Sequence, residues 1–158
     1  MEKSTPLKIP ILDLAPGLVN GISVQRPDVV TPYRDTYFEW KVSLLTSKFR
    51  TTEISGGTLK TWHHVPVFRE IETHIDAEMF YFISGVAIML FMDVDGDQPT
   101  MDSAQIVRIQ PGTQIIIPEG KGHFVAVAEG DEPVEMIVVA PKMEAPRIAL
   151  PTPVEGVA

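Results

Sequence analysis

The sequence contains no cysteine. That absence removes a disulfide framework, thiolate metal ligation and a cysteine nucleophile together. Cations are scarce as well: 13 Lys and Arg stand against 21 Asp and Glu, for a formal net charge of −8 and an isoelectric point near 4.9. A field of that sign repels phosphate backbones and anionic bilayer surfaces, so neither nucleic acid nor membrane is an expected partner. Long apolar runs are missing too. The opening stretch MEKSTPLKIPILDLAPG is interrupted by Pro6, Pro10, Asp13 and Pro16, which suits neither a signal-peptide core nor a spanning helix, and a cytoplasmic location is the expectation. No window sustains the i, i+3, i+4, i+7 apolar pattern of a helix over three turns. No phosphate-binding glycine loop leads from a strand into a helix, and no Ser-His-Asp spacing stands out.

What is present is the patterning of an all-β protein. Prolines and glycines punctuate the chain at short intervals, and the runs between them are rich in Val, Ile, Thr, Phe and Tyr. At 158 residues, with 44% apolar and 22% charged residues, the chain has the size and composition of one globular domain. Strands are expected over residues 37–45, 48–55, 58–64, 68–74, 78–83, 86–93, 104–109, 114–117, 124–128 and 134–140. SGG at 55–57 and DGD at 95–97 read as turns, the second as a hairpin because Asp-Gly suits a primed turn. Residues 1–35, with Pro6, Pro10, Pro16, Pro27 and Pro32, read as an irregular arm, and residues 36–140 as the barrel domain. Residues 141–158, with Pro141, Pro146, Pro151 and Pro153, read as an extended or frayed tail.

One stretch carries more polar groups than its surroundings warrant. EIETHIDAEMFYFISG, residues 70–85, places Glu72, His74 and Glu78 at the head of an aromatic strand. Alternation along a strand puts Glu72 and His74 on one face, and Glu78, Phe80 and Phe82 on one face. The short HIDAE connection folds the second group beside the first. Two strand ends joined in this way can bring several N and O donors to within the ~2.0 to 2.3 Å that a divalent metal requires. A further candidate lies in PGTQIIIPEGKGHFVAV, residues 111–127, where Gly112, Pro118 and Gly120 shape the turns that deliver His123 to the start of a strand. Without such partners a carboxylate at Glu78 would be costly ahead of MFYFI.

Together the two stretches resemble the cupin superfamily. Its first motif, G-x5-H-x-H-x3-4-E-x6-G, is matched in its second half by His74, Glu78 and Gly85. Its second motif, G-x5-P-x-G-x2-H-x3-N, is matched by Gly112, Pro118, Gly120 and His123. The resemblance implies a double-stranded β-helix, or jelly-roll barrel, holding a metal at its mouth or centre. Glu72 stands where the family usually has its first histidine, no glycine precedes it at the family's distance, and Val127 replaces the usual asparagine. Some cupin enzymes of ureide catabolism carry a glutamate at that first position.

The expected metal ligands are therefore Glu72, His74, Glu78 and His123. Two imidazoles with two carboxylates form a hard donor set that suits Mn, Fe or Zn rather than copper. Glu72 is alternatively a general base, and Lys121, in the loop before His123, is a candidate for meeting a substrate carboxylate. Trp62 and His64 share a strand face and are expected to wall a substrate pocket with Phe80, Phe82 and Val125. His63, their neighbour, must point the other way. The expected function is metal-assisted lyase, isomerase or hydrolase chemistry on a small polar metabolite such as a hydroxy acid, keto acid, sugar acid or ureide. An iron-dependent dioxygenase and a metal-free, non-catalytic binding barrel are the alternatives. Exposed edges and proline-rich arms make a homodimer the expected assembly.

Overall fold

The computed structural model describes residues 5–158, and its ordered structure is almost entirely β. In chain order the strands are β1 (Leu7–Asp13), β2 (Ser23–Gln25), β3 (Tyr33–Arg34), β4 (Glu39–Trp40), β5 (Ile54–Thr61), β6 (Val67–Glu72), β7 (Glu78–Ser84) and β8 (Ala87–Met92). There follow β9 (Val94–Asp95), β10 (Gln98–Pro99), β11 (Gln105–Ile109), β12 (Gln114–Ile117), β13 (Gly122–His123), β14 (Val127–Ala128), β15 (Val134–Pro141) and β16 (Arg147–Val157). One 3-10 turn, Met101–Ser103, is the only helical piece among the described residues.

Two sheets face each other. One has the order β2-β12-β7-β15-β5, and the other β11-β1-β16-β6-β13-β8-β14. In the second sheet β11 also pairs with β8, so the strands β8, β11, β1, β16, β6 and β13 close on themselves. Alternation then sorts the side chains of β8 onto two faces. Ala87, Met89 and Phe91 join the larger core between the two sheets, with Phe80, Phe82 and Ile115. Ile88, Leu90 and Met92 join a second core with Phe68, Ile71, Ile106 and Val154. A strand buried on both faces must read as a continuous apolar run, and AIMLFM does.

The terminal segments differ from expectation. Residues 7–13 form a parallel strand between β11 and β16, and residues 147–157 form the longest strand of the molecule. Proline density misled because the prolines fall where the ladder tolerates them. Pro151 and Pro153 lie in a register shift of β16 against β6, between Ala149 and Val154, where no regular donor is demanded. These strands cover the second core, which would otherwise face water. Only residues 1–4 of the expected arm lie outside the described residues.

Residues 41–45 and 48–53, expected as strand, contain none. Val42 and Leu44 remain exposed, because β propensity is realised only against a partner strand. SGG, expected as a turn, lies inside β5. Gly56, at φ +153°, faces β15 so closely that an added Cβ would meet Val138 O at 2.0 Å. The DGD turn is present, with β9 and β10 antiparallel about Gly96.

The closing role of β16 has a measurable consequence. Val154 is fully buried, so Val154→Ala is expected to lower stability by about 2 kcal/mol in urea unfolding. Pro151→Ala, on an exposed position of the same strand, is expected to cost less than about 0.5 kcal/mol. Equal, negligible effects would mean that the segment does not cover a core.

Candidate metal centre

The polar residues at the head of β7 meet the end of β13 at one edge of the larger core. His123 pairs in register with Glu72 of β6 on one side and with Phe91 of β8 on the other. Since Phe91 points into the larger core, His123 does too, and its ring stands edge-on to Phe80 at 6.3 Å. Glu78 opens β7 on the same inward face as Phe80 and Phe82. His74 lies in the loop joining β6 to β7. That loop is held by Asp76, whose carboxylate accepts the Arg50 and Ala77 amides at 2.8 Å each. Gly120, at φ +73°, turns the loop before His123 so that its amide donates to His74 O at 2.9 Å. A side chain at that φ would be strained.

Four of the expected site residues therefore converge. Glu78 Oε2 lies 3.0 Å from His123 Nε2 and 3.1 Å from His74 Nε2. Glu72 Oε1 lies 3.8 Å from each of the same two nitrogens. Ligand atoms of Glu72, His74 and His123 all fall within 4.8 Å of one another. The imidazoles are nearly enclosed, with 8% of the His74 side chain and 1% of the His123 side chain exposed.

The outer nitrogens decide what the inner ones can do. His74 Nδ1 lies 3.1 Å from the carbonyl of Glu144, and His123 Nδ1 lies 2.9 Å from the carbonyl of Lys121. A ring nitrogen facing a carbonyl must carry the proton, so in each neutral ring Nε2 presents a lone pair to the carboxylates. Lone pairs and carboxylate oxygens repel unless a cation or a proton sits among them. His74 Nε2 is buried and, despite its 3.1 Å approach to Glu78, has no aligned hydrogen-bond partner. Two imidazole nitrogens, their tautomers fixed from behind, and two carboxylates form a donor set that fits a divalent transition metal.

Without a metal, a proton fills that role. Burial disfavours charge on His74, but hydrogen bonding to Glu72 and Glu78, the Glu78 charge and the Glu144 carbonyl outweigh it and raise its pKa to about 10. Burial likewise disfavours ionised Glu78, yet the two imidazoles hold its pKa down to about 2.

Other expected residues fall elsewhere. Lys121 does not turn its ammonium to this group: it is buried in an ion pair with Asp93 at 2.6 Å, and the residue serves the site through its carbonyl. Trp62, His64 and Val125 are among the residues that line one surface cavity, whereas Phe80 and Phe82 are packed into the core. His63 is tied to Glu129 O at 3.0 Å, away from the cluster. The supporting carbonyls of Glu144 and Lys121 left no trace in the sequence, since a main-chain acceptor can be offered by any residue.

Fold and cluster together define a closed β-barrel at one edge of whose larger core the two motif stretches meet. No family model and no curated protein matches the chain. Among solved structures it is similar to Bacillus subtilis oxalate decarboxylase. A structure from a study of that enzyme's Mn(II) centres matches at 24% identity over 62% of this chain and 24% of the other, with a TM-score of 0.46. A second, concerned with the substrate binding mode and a reaction specificity switch in oxalate decarboxylase, has the same identity and coverage and a TM-score of 0.45. A third, determined at pH 4.6, again has 24% identity and a TM-score of 0.46. The chain thus spans about a quarter of the length of these proteins. So loose a likeness carries neither substrate nor activity across.

The two shifted groups give the metal-free protein a defined pH profile. His74 has its folded pKa raised from 6.5 to about 10, so its stabilisation is complete below pH 6.5 and is lost as pH climbs through 10. Glu78 has its folded pKa lowered from 4.5 to about 2, so its contribution is complete above pH 4.5 and is lost as pH falls through 2. The melting temperature of EDTA-stripped protein is therefore expected to plateau between these limits and to fall by several degrees from pH 6.5 to 10. His74→Gln should flatten that alkaline limb, and an unchanged limb would contradict the pairing.

Proposed function

We propose that this protein is a metal-dependent cupin enzyme that performs lyase, isomerase or hydrolase chemistry on a small oxygen-rich acid. The observation that carries the reading is the buried meeting of both Nε2 atoms with two carboxylates, in which His74 Nε2 has no aligned partner and His123 Nε2 lies 3.0 Å from Glu78 Oε2. His74, Glu78 and His123 are the proposed core ligands, and Glu72 is the fourth. Mn, Fe and Zn all suit such donors. A divalent ion held there supplies Lewis acidity toward a substrate carbonyl or carboxylate oxygen.

The chain's own residues then divide the work. The Lys121 and Glu144 carbonyls hold both rings in the tautomer that leaves Nε2 free. Glu78, nearest to both rings, is the carboxylate most firmly committed to binding. Glu72 stands farther off at 3.8 Å and is the more exposed of the two carboxylates. That position suits it to an alternative role in place of ligation, as a general base that takes up or returns a proton at substrate carbon or water. Phe80 closes the inner side and keeps bulk water from reaching the site through the core. The homodimer expected from the sequence belongs to this proposal too, supported by the exposed Tyr37 and Trp40 and by the free edge of β5.

Metal content and turnover test the assignment separately. Protein purified without chelator is expected to hold about one transition-metal ion per chain by elemental analysis. His74→Ala and His123→Ala should reduce this at least about tenfold, and His63→Ala should leave it unchanged. A panel of hydroxy, oxo and ureido acids followed by proton NMR should reveal an oxygen-independent conversion, which Glu72→Gln slows by roughly 10² or more. Conversion only in air would instead indicate a dioxygenase. Absence of metal from wild type, with no thermal stabilisation by added Mn²⁺, Fe²⁺ or Zn²⁺, would leave a non-catalytic barrel.

A further inference from the structure

β5 is the last strand of its sheet and pairs only with β15, while β6, the next strand in the chain, belongs to the other sheet. Residues of both strands and of the segment 124–127 line a cavity of about 700 Å³, a volume within the range of small-molecule sites. Its walls draw on both cores. Leu59 and Ala126 pack with the larger, and Phe68, Phe124 and Val127 with the second. None of Glu72, His74, Glu78 and His123 lines it. The cavity is a site apart from the metal centre.

Three charged side chains stand among these carbon walls, and two are already paired. Lys60 meets Glu135 at 2.8 Å and Glu70 meets Arg147 at 2.6 Å, whereas Arg69 has no ion pair among the described residues. A chain with 21 acidic against 13 basic side chains has carboxylates to spare, yet none is set against this guanidinium. A second polar group also lacks a partner. Thr61 lines the cavity with only 9% of its surface exposed, and its buried Oγ1 makes no hydrogen bond. A buried hydroxyl left in that state is costly. Trp62, the next residue, leaves 65% of its surface uncovered, and an indole face so placed is ready to stack on a ring.

From the unpaired cation, the carbon walls and the open indole together, we infer that this cleft binds an aromatic monocarboxylate. The ring lies against Trp62 and the apolar walls, the carboxylate meets Arg69, and Thr61 offers a further donor. A wholly apolar ligand would desolvate the guanidinium without pairing it. A dianion such as a phosphate monoester would bring a second negative charge into an acidic protein with no cation left to meet it. A small polar acid would gain nothing from the carbon walls. The site does not depend on the metal reading.

2-Naphthoate and 2-naphthamide share a ring system and differ in charge, and acetate has the charge without the ring. In calorimetric titration of the full chain, 2-naphthoate is expected to bind at one site, about tenfold or more tightly than the amide, and acetate is expected not to bind measurably. Arg69→Gln should lower naphthoate to the affinity of the amide and leave the amide unchanged, which also shows that the cleft is intact. Trp62→Ala should weaken both ligands about tenfold. Arg26→Gln, at an exposed cation outside the cleft, should change neither. Treatment with EDTA should leave every affinity as it was. Loss of naphthoate binding with EDTA would put the ligand at the metal cluster and overturn the assignment. Failure of naphthoate to bind, equal affinity for acid and amide, or a preference that Arg69→Gln does not move would overturn it as well.

Discussion

Four electron-rich groups meet in a nearly closed space, and the site depends on what is placed among them. His74 and His123 turn their Nε2 atoms inward because the carbonyls of Glu144 and Lys121 hold their outer nitrogens. Glu78 brings a carboxylate oxygen to 3.0 and 3.1 Å from these Nε2 atoms, and Glu72 brings one to 3.8 Å from each. Such a set is repulsive when empty of positive charge and strongly attractive around it. Either a proton on an imidazole or a metal ion meets the need, and the two compete for the same lone pairs. The high pKa of His74 and the low pKa of Glu78 express the same demand in the metal-free state.

The fold is arranged so that this demand falls at one place. The closed strand circuit buries β8 on both faces, and a strand so fixed gives β13 a rigid neighbour. β13 in turn sets His123 beside Glu72. The terminal strands β1 and β16 complete the circuit on the far side, and the connection between β15 and β16 carries the Glu144 carbonyl that holds His74. The end of the chain thus contributes both to core burial and to the orientation of a candidate ligand.

Much of this was legible in the sequence, for identifiable reasons. The apolar run within 86–93 announced a strand. Glu78 ahead of MFYFI announced a buried carboxylate in need of a partner, and Gly120 with His123 supplied the turn that delivers one. What was not legible depends on partners far along the chain. Pro151 and Pro153 looked like breakers because the register shift that accommodates them is a property of two strands, not one. Residues 41–45 and 48–53 had strand-forming residues but no ladder to join. Lys121 had the position of a substrate-binding cation, yet Asp93, 28 residues away, takes its charge.

If this cluster exchanges a proton for a metal ion, proton release reports that exchange directly. EDTA-stripped protein at pH 7.5 would be titrated calorimetrically with Mn²⁺ in two buffers of different ionisation enthalpy. The expected result is one ion bound per chain, with close to one proton released as His74 gives up its charge, and with both signals lost in His74→Gln. Binding without proton release, or no binding at all, would contradict the account.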